Sequence, residues 1–179
     1  MSRLKYFPHL AGSLILASAA TVGVLNKWEP AKGSPDAHLI VYADKLAQGL
    51  PTVCAGITKH VATIPVIVGD KWTPEMCLEQ ESQALEKVQS TLVKCFKTLP
   101  PQSTFDAATS HAWNFGASKT CNSAAMKQWN LQNYSVGCRL IAYDYKGNPN
   151  WSFASGRFIQ GLHNRRIDEM NLCMKDIPK

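Results

Sequence analysis

Apolar and polar positions divide the chain into stretches of different rhythm. Tyr6 to Asn26 is a run of 21 residues without Asp, Glu, Lys or Arg, long enough to span a bilayer. Gly12, Ser13, Ser18, Thr21 and Gly23 interrupt it, and Ala11, Ala17, Ala19 and Ala20 keep it only weakly hydrophobic. Trp28 to Asp36 carries Glu29, Pro30, Gly33, Ser34 and Pro35 and reads as a loop. Leu39 to Tyr42 and Thr52 to Val68 are rich in β-branched residues, with Gly49, Pro51 and Gly56 between them. That pattern predicts a small, irregular antiparallel sheet.

The rhythm then becomes helical. Thr73 is placed to cap a helix with Pro74 at its first position. Leu78, Leu85, Val88, Leu92, Cys95 and Leu99 form its expected buried stripe, and Pro100-Pro101 its stop. Phe105 to Phe115 predicts a second helix, with Phe105, Ala108, Ala112 and Phe115 on one face and Gly116 at its end. Ser123 to Trp129 predicts a third. Asp144 to Trp151 is rich in turn residues, and Leu162 to Met174 predicts a last helix with a basic face. A small β region followed mostly by helices makes an α+β domain. It is expected over residues 28–179, behind an N-terminal segment of residues 1–27.

Charge changes the picture at the N-terminus. Arg3 and Lys5 precede the apolar run, which favours a cytoplasmic N-terminus and an exported remainder. Two readings follow. One is a cleavable signal peptide with Ala17-Ser18-Ala19 as the cleavage site. The other is an uncleaved segment that crosses the membrane but holds there poorly, because its small and hydroxyl residues gain little from lipid. The formal net charge is +6, but the first 27 residues hold three bases and no acid, leaving 16 bases against 13 acids beyond them. That mild excess suits an anionic polymer such as a cell wall and is no nucleic-acid signature.

The six cysteines include no C-x-x-C pair and no histidine cluster has zinc-finger spacing, so no metal is expected, and the sequence signals no cofactor. Behind an export signal, an even count reads as up to three disulfides. Cys77 and Cys95 fall on one predicted helix and sit too far apart to bond each other.

Glycoside hydrolysis needs a carboxylic acid to protonate the leaving oxygen, and a second group to steady the cationic centre or activate water. Acids near the β region are few: Glu29, Asp36, Asp44 and Asp70. Around them stand Trp28-Glu29, Tyr42-Ala43-Asp44 and Thr52-Val53-Cys54-Ala55-Gly56-Ile57-Thr58. Later come Phe105-Asp106-Ala107-Ala108, Trp113-Asn114-Phe115-Gly116, and Gly161-Leu162-His163-Asn164-Arg165-Arg166 with Glu169, Leu172 and Cys173.

In this order the segments resemble the phage-type lysozymes that serve as endolysins, over roughly Trp28 to Met174. The resemblance implies a lysozyme-like fold, with a small β lobe and a larger helical lobe. It also implies hydrolysis of the β-1,4 bond between N-acetylmuramic acid and N-acetylglucosamine, leading to host cell lysis. Glu29 would be the acid. Asp44 would orient or activate water or stabilise the cationic transition state, and Thr52 would help place that water.

The spacing departs from the family's E-x8-[DC]-x5-T, reading E-x14-D-x7-T here. Asp36 lies nearer the usual distance from Asp44 and is the alternative acid. Arg165 and Arg166 are expected to pair with acids of the helical lobe. The N-terminal segment resembles the signal-arrest-release segments of some endolysins, which implies an inner-membrane tether followed by release into the periplasm. The expected partners are peptidoglycan strands and, before release, that membrane, with no nucleic acid and a monomeric enzyme. A lytic transglycosylase and a non-catalytic wall-binding protein are the alternatives.

Overall fold

The structure is a computed structural model that describes residues 14, 16, 18–28 and 37–177. Glu29, Asp36, most of the loop from Trp28 to Asp36, and much of the apolar run before Ser18 lie outside the described residues. The chain divides into two compact units: Leu25–Lys87, and Val88–Lys179 together with Met1–Val24. Helix α1 (Ala19–Trp28) and helix α2 (Pro74–Cys95) each contribute residues to both.

The first unit is built on a three-stranded antiparallel sheet in the order β1 (Tyr42–Asp44), β2 (Leu50–Val53), β3 (Ile57–Thr58). Much of the stretch from Thr52 to Val68 is therefore loop, tied down by side chains instead of a strand ladder. Gln80, buried on α2, accepts from the Thr63 backbone N–H at 2.7 Å. Glu81 accepts from the Ala55 N–H at 2.8 Å. The Cys54–Cys77 disulfide joins the end of β2 to α2. Val41, Val53, Ile57, Trp72 and Ala84 are buried in this unit.

Thr73 caps α2 as expected, its hydroxyl accepting from the Met76 N–H at 3.2 Å. The buried stripe differs from the one the apolar residues suggest. Leu78 is 70% exposed, and Leu99, 41% exposed, lies beyond the helix. Leu92 is buried as expected, but Cys77, Gln80, Ala84, Gln89 and Val93 are buried as well. The disulfide at Cys77 and the hydrogen bonds of Gln80 rotate the first turns by one position, which hydropathy alone does not reveal. The helix also ends before the prolines. The Asn130 amide donates to the Cys95 carbonyl at 2.8 Å and accepts from the Lys97 N–H at 2.7 Å, closing the last turn.

The second unit surrounds α3 (Gln102–Phe115), which begins three residues earlier than expected and is buried continuously from Ser103 to Ala112. Small residues let neighbours approach on every side, and its polar groups find partners. Thr109 donates to the Phe105 carbonyl at 2.8 Å, and Ser103 to the Cys173 carbonyl at 3.0 Å. Around it stand α4 (Ala117–Cys121), α5 (Ala124–Trp129), α6 (Tyr134–Ala142) and α7 (Gln160–Cys173). The core includes Leu92, Phe96, Phe105, Met126, Trp129, Ile141 and Leu172. Disulfides Cys95–Cys121 and Cys138–Cys173 close it, so Cys77 and Cys95 do share a helix without bonding each other. Between α6 and α7 a two-stranded hairpin pairs β4 (Phe153–Ala154) with β5 (Arg157–Phe158).

Gly137 on α6 lies against Trp129, where an added Cβ would overlap the indole ring. Gly137→Ala should lower stability by about 1–3 kcal/mol through overpacking, read as a lower thermal midpoint with unchanged disulfide content.

Candidate active site

The turn between β1 and β2 sets the geometry of the β-sheet site. Gln48 and Gly49 both take positive φ, at 57° and 83°, and the Gly49 N–H donates to the Asp44 carbonyl at 2.7 Å. Glycine adopts such a φ without the steric cost other residues bear. This closure fixes the register Tyr42↔Thr52, Ala43↔Pro51 and Asp44↔Leu50. Facing residues of an antiparallel pair share a side, and residues alternate along a strand. Asp44 and Thr52 therefore occupy one face as diagonal neighbours, a relation that places such residues about 7–8 Å apart. Thr58 of β3 faces Thr52 and extends the row.

Asp44 is half-buried and Thr52 buried. The Thr52 hydroxyl donates to the Leu50 carbonyl at 2.9 Å. Its proton is thus committed, and its lone pairs are left to accept. An open depression of about 560 Å³ in the same unit is lined by Ile64, Pro65, Ile67, Asp70, Lys71, Trp72 and Met76. It includes neither Asp44 nor Thr52. Of the sequence-predicted site residues, these two are brought onto one face, while Glu29 and its alternative Asp36 fall outside the described residues.

The helical unit holds a second concentration of charge. Glu169, fully buried on α7, accepts from Arg166 at 2.7 Å, from Arg165 at 3.2 Å and from the Ser110 hydroxyl at 2.7 Å. Arg166 also donates to Asn114 at 3.0 Å and lies 4.7 Å from the Phe115 ring centroid. Arg165 reaches the Ser110 carbonyl at 3.3 Å. The expected pairing of these arginines with an acid is thus present, whereas the expected basic face on this part of α7 is absent, because both side chains turn inward. Burial pushes the Glu169 carboxyl up, against Arg166, Arg165 and Ser110, which pull it down.

His111 was not singled out by the sequence as part of this cluster. It is buried, its ring 4.7 Å edge-on from Trp151 and 5.1 Å from Phe115. Burial first, then Arg166 and Arg165, hold its pKa well below the usual histidine value. The Thr120 hydroxyl donates to the Gly116 carbonyl at 3.2 Å. The 2.8 Å contact with His111 Nδ1 is therefore read as Nδ1–H donating to Thr120. The i, i+3 and i+4 spacing of Arg165, Arg166 and Glu169 was legible in sequence, but His111 comes from another helix and carried no local signal.

The sheet bearing Asp44 and Thr52, together with a helical unit built around α3, defines a lysozyme-like α+β protein. The profile of the phage lysozyme family matches residues 36–169, and the chain belongs to that family. It is accordingly a lysozyme, a glycoside hydrolase of peptidoglycan. The SAR-endolysin of Pseudomonas phage phiKMV is 28% identical over 127 residues, covering 71% of this chain and 74% of that protein. Among solved structures, the fold is shared with an endolysin from Escherichia coli O157:H7 phage FAHEc1. That structure is 24% identical, with TM-score 0.69, over 94% of this chain and 99% of its own. A P22 lysozyme mutant is similar at 24% identity and TM-score 0.68, over 90% and 100% of the two chains.

Two outcomes follow from the helical cluster. Glu169→Ala should destabilise the protein by about 3–5 kcal/mol, because two guanidiniums lose a buried counter-charge; chemical denaturation reads this directly. His111 binds a proton in the unfolded chain below about pH 6.5 but resists it when folded. Its contribution to stability is therefore present above that pH. It is lost as pH falls toward the depressed folded value, at up to about 1.4 kcal/mol per pH unit. Unfolding midpoints measured from pH 7.5 to 5 should show this slope, and His111→Gln should flatten it.

Proposed function

We propose that this lysozyme acts as an endolysin, cleaving the β-1,4 bond between N-acetylmuramic acid and N-acetylglucosamine and so lysing the host cell. The observation that carries the reading is the pairing of Asp44 and Thr52 on one sheet face, with the Thr52 proton already committed to Leu50. A water placed there gives one hydrogen to the Asp44 carboxylate and the other to the Thr52 oxygen. Its lone pair is then free for the anomeric carbon. Glu29 is the proposed acid: its proton goes to the leaving oxygen as the glycosidic bond breaks. The water oxygen bonds to carbon and its proton passes to Asp44, so charge and atoms balance. Asp44 also opposes the positive charge that develops on the sugar ring.

The proposed domain organisation is a tethering segment of residues 1–27 followed by a catalytic domain of residues 28–179. The enzyme is held first in the inner membrane and then released to the periplasm as a monomer. Similarity to a protein named as a SAR-endolysin supports this. So do the partners of the segment's polar residues. Thr21 is fully buried, and its hydroxyl donates to the Asp106 carboxylate at 3.0 Å, beside the Gln102 amide at 2.7 Å. Ser18 accepts from the Thr21 N–H at 3.1 Å. Leu14, Ala20 and Val24 pack into the helical core. Among the described residues no helix is long and apolar enough to cross a membrane. The Ser18 and Thr21 hydroxyls, which weaken the segment in lipid, are thus satisfied in the compact chain, which lets the folded domain compete with the bilayer for it.

Purified peptidoglycan digested by the full chain, with products read by mass spectrometry, tests the chemistry. Reducing-end muropeptides are expected. Glu29→Gln and Asp44→Asn should each cost about 10²–10⁴-fold in kcat, while Asp36→Asn stays near the parent. Anhydro products would move the enzyme to the transglycosylases, and absence of cleavage by folded protein would remove the reading. For the tether, Thr21→Val should raise the membrane-retained fraction in detergent-free fractionation. Released protein lacking its first 19 residues would establish signal-peptide cleavage instead.

A further inference from the structure

The β4–β5 hairpin has a feature the catalytic reading does not use. Ser155 and Gly156 both take positive φ, at 49° and 75°, the conformation of a tight two-residue hairpin turn. That turn pairs Phe153 directly with Phe158. The two rings meet edge to face at 5.8 Å, yet Phe153 remains 50% and Phe158 44% exposed. The aromatic row continues inward. Phe158 lies 5.6 Å from the His163 ring, and the Tyr143 ring lies 5.5 Å from the same imidazole. Ser152 donates to the Asn150 carbonyl at 2.7 Å, so at 3.1 Å it accepts from His163 Nδ1–H and fixes that ring.

The hairpin itself carries one charged side chain, Arg157, while Asp144 lies against Lys146 just before it. From Tyr145 to Ile167 the sequence holds Lys146, Arg157, Arg165 and Arg166 and no acid. Arg165 and Arg166 are buried, but Lys146 and Arg157 are exposed, and Arg157 sits on β5 next to Phe158. A short hairpin gains little from rings left half in water. Exposed aromatic faces beside a guanidinium are the composition of a recognition surface.

Building on the lysozyme reading, we propose that the Phe153–Phe158 face with Arg157 is an accessory docking surface for the peptidoglycan strand. The rings stack on the apolar faces of N-acetylated sugars, and Arg157 pairs with carboxylates of the attached peptides. The strand matches on both counts, being a polymer of ring faces that carries negative charge at regular intervals. The surface holds the insoluble substrate and takes no part in bond cleavage.

The test uses the full chain and two variants, Phe153→Val/Phe158→Val, which keeps strand-forming residues at both positions, and Arg157→Gln. Four measurements are made: co-sedimentation with purified sacculi on ice, co-sedimentation with phosphatidylglycerol vesicles, hydrolysis of sacculi, and the thermal midpoint. The double variant should sediment less and need about five- to tenfold more sacculi for half-saturation, the equivalent of about 1–1.4 kcal/mol. Its saturating rate and thermal midpoint should match the parent, and Arg157→Gln should act in the same direction more weakly. Sedimentation is scored apart from cleavage, so a parent that binds through the hairpin without hydrolysing would refute the lysozyme reading alone. Equal sedimentation of parent and variants would overturn the docking surface. So would a parallel fall in saturating rate and thermal midpoint, which would make the hairpin structural. Loss of binding only to phosphatidylglycerol vesicles would overturn it in favour of a lipid surface.

Discussion

Burying α3 on all sides imposes a condition on everything packed around it. A helix carrying Ser103, Thr104, Asp106, Thr109, Ser110 and His111 can enter a core only if those groups are paired there. The neighbouring elements supply the partners. Helix α7 brings Glu169 to Ser110 and its Cys173 carbonyl to Ser103, α4 brings Thr120 to His111, and α1 brings Thr21 to Asp106. Each of these bonds fixes where another helix lies. The arginines complete the arrangement, since a lone buried carboxylate at Glu169 would be costly and two guanidiniums answer it.

Covalent ties work on the same elements from outside. Cys77 and Cys95 stand near opposite ends of α2, one bonded to the turn after β2 and the other to α4. The third disulfide joins α6 to α7. Each closes a loop that the unfolded chain would otherwise leave free, which stabilises the folded domain. The bond at Cys54 also has a local consequence. Cys54 takes a positive φ of 55° directly after β2, so the covalent link and the backbone turn together hold the strand that carries Thr52.

The proposed catalytic pair Asp44 and Thr52 lies on one small sheet. The sheet has few residues, and its shape follows from the Gln48-Gly49 turn, the Cys54–Cys77 bond and the Glu81 and Gln80 contacts from α2. Within that frame, a threonine whose proton is already spent is a fixed acceptor, and an aspartate on the same face is a fixed charge. Placing two such groups in advance is what the proposed catalysis by oriented water requires.

The sequence alone determined the family, the α+β class, a β region ahead of the helices, and helices near α2, α3, α5 and α7, because each rests on local spacing or on motifs whose residues lie close together in the chain; α4, α6 and the β4–β5 hairpin were not legible there. It also made clear that Cys77 and Cys95 do not pair and that Arg165 and Arg166 answer an acid. Tertiary structure decided which face of α2 is buried, where Gln80 and Asn130 override hydropathy and proline. It decided that α3 is buried all round, that Gly137 gives room to Trp129, and which cysteines join. It also drew His111 into the Glu169 cluster and set two phenylalanines half in solvent. These depend on partners far away in sequence, and a polar residue's burial is settled by whether such a partner arrives, which no local pattern encodes.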